Sequence, residues 1–149
     1  LWIIGYGVVQ SSVPALLQLT KTRTPDGRSA FYWALILAFV TAALAATLGL
    51  GLPAAPVLIT GLVIFGVFFA INSSIHSYLI VSYAKDDGAS LDVGFYYMAN
   101  ALGRLTGTVL SGWIYQYAGL TACLWVSTVF IAAATLLSSI IIEDDQEKR

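Results

Sequence analysis

Apolar residues run through this chain in five long stretches separated by short breaks. The first covers residues 1–19, and a polar loop from Thr20 to Arg28 follows, with Pro25-Asp26-Gly27 as its turn. The second covers 29–51, and the break from Leu52 to Pro56 holds two prolines and no charge. The third covers 57–83, ahead of a loop carrying Lys85, Asp86, Asp87 and Gly88. The fourth covers 91–117, opened by Ser90 as N-cap and Asp92 in the first turn. Gly119 separates it from the fifth, 120–142, after which the tail 143–149 is almost wholly charged. Each stretch suffices to cross a hydrocarbon core that needs roughly 20 helical residues. Barrel strands would alternate polar and apolar residues over about ten positions, and these stretches do not. The pattern therefore predicts an all-α membrane protein with five transmembrane helices.

Composition removes the soluble alternative. The chain is 58% hydrophobic and 10% charged, where globular domains carry roughly 25% charged residues. A net charge of −1 offers no basic field for nucleic acid. The single cysteine, Cys123, cannot form an internal disulfide or a metal cluster, so no metal site or cofactor is expected. Among Ala122, Leu124 and Val126 it reads as a small buried apolar residue. Leu1 follows no initiator Met and no basic n-region, and no A-x-A site closes the first stretch, so Leu1 reads as an interior point of a longer protein.

Charge placement sets an expected orientation. Lys21, Arg23 and Arg28 lie in the first loop, Lys85 in the third, and Lys148 and Arg149 in the tail, while the second and fourth breaks carry no charge. With five crossings all three charged regions share one face, which the positive-inside rule assigns to the cytoplasm. The expectation is a multi-pass protein of a bacterial-type inner (plasma) membrane, its C-terminus cytoplasmic.

Arg104 breaks the rule that charge stays in the loops. It sits about 20 Å into the fourth stretch at 1.5 Å per residue. A charge at that depth costs at least about 2.5 kcal/mol and marks a functional site by default. Helical periodicity aligns Tyr97, Asn100, Thr108, Ser111 and Tyr115 with it, and puts Phe95, Leu102, Val109 and Trp113 opposite. The third stretch carries Asn72, Ser73, Ser74, His76 and Ser77, with Asn72 and His76 one turn apart below Phe65, Phe68 and Phe69. Asn72 and Asn100 lie at about the same depth. The first stretch offers Tyr6, Gln10 and Ser11, with Pro14 to bend it. Each polar group has a plainer reading. Arg104 could be pinned at a helix interface, His76 could be a packing residue, and Gln10 could bond between helices. Gly103, Gly107 and Ser111, every fourth residue, read as a close-packing stripe. No nucleophile with a base, no phosphate-cradling loop and no metal-ligand pair appears, so an enzyme has little support.

The loop Arg23-Thr24-Pro25-Asp26-Gly27-Arg28 resembles the basic motif between the eighth and ninth spans of the major facilitator superfamily. Gly103-Arg104-Leu105-Thr106-Gly107-Thr108, then Ser111-Gly112-Trp113-Ile114-Tyr115 and Gly119-Leu120, resembles its eleventh span and the turn after it. The resemblance implies that the five helices are spans eight to twelve of a twelve-helix fold, as a fragment. Spans eight, ten and eleven would then line the cavity, both termini would be cytoplasmic, and the other half would lie in further sequence or a partner chain. More narrowly, Leu1–Gly7, Asn72–Leu79 and Val93–Asn100 resemble the organoarsenical-efflux branch. That resemblance implies export of 1-arseno-3-phosphoglycerate in arsenate resistance, with the lipid bilayer as surroundings and protons as a coupling partner. The substrate-binding set expected here is Arg104, Asn100, Tyr97, Asn72, His76, Gln10 and Tyr6. A transporter of a sugar phosphate or drug, and a non-transport assembly subunit, are the alternatives.

Overall fold

The computed structural model describes residues 4–5, 7–12, 27–83 and 89–147. They are helical almost throughout. Helix α1 spans Gly27–Gly49, α2 spans Ala54–Tyr83 and α3 spans Ala89–Glu147, and residues 7–12 form a further helical stretch. Three helices are long and apolar enough to cross a membrane, and the third candidate runs 50 residues from Ser90 to Ser139. At 1.5 Å per residue a straight helix of that length would be about 75 Å, more than twice a hydrocarbon core of about 30 Å.

Gly119 resolves the excess length. Its φ of 79° and ψ of −177° are non-helical and break α3 into two arms, 89–118 and 120–147. This backbone region is open essentially to glycine alone. The arms fold back on each other, because Sγ of Cys123 donates to the carbonyl of Ser111 at 3.3 Å. In a straight helix, residues 12 apart would be separated by about 18 Å. The turn between α1 and α2 also uses a glycine of positive φ, Gly51 at 77°.

Helix α1 is the centre of the described bundle. Its small and aliphatic residues Ala30, Ala34, Leu37, Ala38, Thr41, Leu44 and Ala45 are all buried. Thr41 can be buried because its hydroxyl donates to the Leu37 carbonyl at 2.8 Å, within its own helix. On one side α2 runs antiparallel to α1. Ala30 joins Ile75 and Leu79 in one apolar cluster with Trp33 and Ile71, the Trp33 and Phe68 rings lie 5.9 Å apart, and Gly61 accommodates Leu44. On the other side the second arm of α3 also runs antiparallel. A Cβ built on Gly49 would lie 4.0 Å from Thr121 Cγ2. Val40, Thr41 and Leu44 face Leu124, Ser127 and Ile131 across a cavity of about 120 Å³, closed by Leu62 and Phe65. Helices α2 and α3 meet each other only briefly.

The ends of the elements differ from the sequence expectations in detail. Helix α2 begins at Ala54, so Pro56 sits in its first turn, where its lacking N–H removes no helical hydrogen bond. Helix α3 begins at Ala89, so Ser90 lies inside the first turn and is not the N-cap. The second arm stays helical into the charged tail, to Glu147. Cys123 is half-buried and hydrogen-bonded, so it is not the buried apolar residue expected. Tyr6, Pro14, Lys21, Arg23, Lys85, Asp86, Asp87, Lys148 and Arg149 lie outside the described residues.

Candidate functional site

Depth can be measured along the helices from the two glycine turns. Thr121 beside Gly49 puts both turns at one end of the bundle. Arg104 lies 15 residues before Gly119, about 22 Å from that end. Asn100 lies 19 residues before it, about 28 Å. Asn72 lies 19 residues after Pro53 at the α1–α2 turn, again about 28 Å. Counted from the two turns, Asn72 and Asn100 lie the same number of residues along their helices. The opposite end carries Arg28 and Asp92.

Arg104, Asn100 and Tyr97 are exposed on the first arm of α3, Tyr97 to 61%. Among the described residues the Arg104 guanidinium has no carboxylate partner; Asp92, three turns away on the same arm, is the one acid whose side chain is described. The two hydroxyls aligned with it bond within their own helix. Thr108 Oγ1 donates to the Arg104 carbonyl at 2.8 Å, and Ser111 Oγ donates to the Thr108 carbonyl at 3.0 Å. Their protons are therefore committed, and the donors left on this stripe belong to Arg104, Asn100, Tyr97 and Tyr115. The Tyr97 ring packs edge-on to Tyr96 at 5.5 Å, which orients it. A Cβ built on Gly103 or Gly107 would meet nothing within 4 Å. The close-packing role thus finds no packed helix at Gly103 or Gly107 among the described residues, while Ser111, the third of the stripe, meets Cys123 of the second arm.

A second polar group forms where α2 meets the 7–12 stretch. Ser74 Oγ donates to the Gln10 carbonyl at 3.3 Å, which ties together residues 64 apart in sequence. Asn72 and His76 flank Ser74, and all three are half-buried. Oδ1 of Asn72 is buried and has no hydrogen-bond partner. Above them Phe65 and Phe69 stack at 5.6 Å, an aromatic step between this group and the glycine turns. Sequence reading placed Gln10 in the binding set or in a bond between helices; the structure shows its backbone carbonyl accepting from Ser74, which had no separate role. Nothing in the spacing of Gln10 and Ser74 could have revealed that pair, since it depends on helix packing.

No described hydrogen bond or ring contact joins the two polar groups, and the apolar cavity beside α1 holds none of the candidate residues. No cluster of metal-ligating side chains occurs among the described residues. Chemically the candidate residues offer binding groups: one guanidinium, three amides, phenols and an imidazole set on otherwise apolar helices.

The sequence pattern of the Major Facilitator Superfamily matches this chain over residues 3–149. No curated protein and no solved structure matches it.

Proposed function

The chain belongs to the Major Facilitator Superfamily, a family of membrane transporters, and from that premise we propose that it exports a small organic anion, anchored by Arg104. The observation that carries this reading is a cation about 22 Å from one end of its span with no described counter-charge. An unpaired guanidinium is expensive in a membrane and makes sense as one half of a pair completed by cargo. Guanidinium grips phosphate or arsenate oxygens with two parallel donors. Asn100 and Tyr97 add neutral donors on the same stripe. Gln10, Asn72 and His76 would supply further donors and acceptors from the neighbouring helices.

In this reading the five apolar stretches are spans eight to twelve, and the cargo binds between these helices and the first half of the transporter. Transport proceeds by alternating access, with the two halves rocking around a site near the bilayer midplane. His76, the single histidine, carries the coupled proton. The favoured cargo is an organoarsenical, 1-arseno-3-phosphoglycerate. A pentavalent arsenic ester needs oxyanion ligands, whereas trivalent arsenic would favour thiolates, and the lone Cys123 spends its S–H on a backbone carbonyl.

The test is efflux from everted vesicles carrying the full-length protein. Arg104→Ala should abolish transport of the arsenylated anion while membrane expression stays near normal. Full transport by the variant would refute the anchoring role. Comparison with a sugar phosphate and with an uncharged drug identifies the cargo class: preference for either over the arsenylated anion overturns the arsenical assignment.

A further inference from the structure

The apolar cavity beside α1 lies where three helices meet but only two pairs of them pack. Helix α1 packs along both α2 and the second arm of α3, while α2 and α3 meet each other only briefly. Three cylinders in that arrangement leave a gap unless large side chains fill it, and packed interiors hold few voids larger than a water molecule. Here the filling is missing. Thr41 and Ser127 put small side chains on the wall. The tip of Leu44 lies over Gly61, so it is turned into the α1–α2 seam and away from the second arm of α3. A space of about 120 Å³ is left at the junction.

The walls select what can occupy that space. A buried water needs two to four polar partners. Thr41 commits its hydroxyl to the Leu37 carbonyl at 2.8 Å, which leaves the Ser127 hydroxyl as the other polar side-chain group of the lining. Water is therefore poorly held, and no charged residue faces the space. Size sets the upper limit. A dry apolar cavity of about 150 Å³ lined by Leu, Ile and Phe takes up benzene or xenon, and this one is only slightly smaller. Depth sets the supply. The lining begins at Leu44 and Leu124, five residues from Gly49 and Gly119, and ends at Ile131, twelve residues from Gly119. It lies about 8–18 Å from the glycine-turn end, within a hydrocarbon core of about 30 Å. Leu62, which closes the space, is itself 47% exposed, so the way in from outside the described bundle runs past that side chain. An uncharged apolar molecule concentrates in hydrocarbon and reaches such an entrance from the bilayer.

We propose that this cavity is an accessory binding site for a small uncharged hydrocarbon about the size of benzene. The bound molecule touches α1, α2 and the second arm of α3 together, and braces the two helices that otherwise barely meet. Its contacts are dispersive and hydrophobic, with no charge or directional bond to satisfy. The site is separate from the anion path, since Arg104, Asn100, Tyr97, Asn72 and His76 take no part in its lining. It stands or falls independently of the cargo that the chain carries.

The test is thermal denaturation of the full-length protein in detergent, with benzene added in steps. A ligand that binds only the folded state raises the melting temperature. The native protein is expected to show a saturable rise of a few degrees. Ser127→Leu fills the space from the α3 side and should remove that rise. Val109→Leu, on the exposed face of the first arm, should keep it, which separates binding in the cavity from any effect of benzene on the micelle. Equal responses of the native protein and Ser127→Leu overturn the proposal. So does the absence of any rise in the native protein, the result expected if an acyl chain or another part of the transporter already fills the space. If Ser127→Leu does not fold, Ser127→Val adds less bulk and should shift saturation to higher benzene concentration; an unchanged titration overturns the assignment.

Discussion

A charge inside an apolar run is the strongest signal a membrane sequence can carry, and Arg104 is the residue where it was legible. Its cost does not depend on how the helices pack, so hydropathy alone exposes it. A functional charge should also be a destabilising one. Arg104→Leu is expected to insert and melt more favourably than the native chain, by about 2.5 kcal/mol on insertion scales, while transport disappears. Thermal denaturation in detergent beside vesicle efflux separates the two effects, and loss of both together would mark Arg104 as structural. Asn72 was legible as a polar residue in an apolar helix, but its buried unpaired Oδ1 was not, because satisfaction depends on which neighbours arrive. Removing an unsatisfied acceptor recovers about 1–3 kcal/mol. Asn72→Leu should therefore raise the melting temperature in detergent, and a lowered one would show that the amide is bonded in the membrane.

Helical character was legible in sequence because length and apolarity decide it, although the described residues hold three candidate spans where five were expected; the helices' mutual contacts had no such signal. Gly61 shows the difference. In sequence it is one glycine among aliphatic residues of α2. In the bundle its bare Cα lets Leu44 of α1 fit: a Cβ there would overlap Leu44 Cδ1 and come within 3.0 Å of Cγ. Leu44 is 8% exposed and has little room to withdraw. Gly61→Ala is expected to destabilise the protein by about 1–3 kcal/mol through overpacking, and Leu44→Ala in the same chain should restore part of that loss. A double-mutant cycle on detergent melting measures the coupling; additive effects would mean that the two helices do not meet there. Gly119 lies between the two cases. The sequence marked it as a break, while the positive φ that folds the arms together, and the Cys123–Ser111 bond that joins them, belong to three dimensions.

At the scale of the whole molecule the two ends of the described bundle are chemically unlike, and that difference predicts an orientation. Both glycine turns, at Gly51 and Gly119, fall in stretches with no charged residue, while Arg28 and Asp92 mark the other end. From Arg28 to Gly49 is 21 residues, about 32 Å, close to the hydrocarbon thickness of roughly 30 Å. One crossing therefore carries the chain from the charged face to the uncharged one. Positive charge is retained on the cytoplasmic side, because moving it across during insertion is unfavourable. Leu52, in the α1–α2 turn and 48% exposed, should then face outward, and Ser90 at the start of α3 should face the cytoplasm. Cysteine introduced at either position, with Cys123→Ser to remove the native thiol, makes the orientation measurable. In intact cells an impermeant maleimide should label Leu52→Cys and leave Ser90→Cys untouched until the cells are lysed. The reverse pattern would invert the bundle. Labelling of both positions from outside would place them on one face, which a single crossing by α2 does not allow.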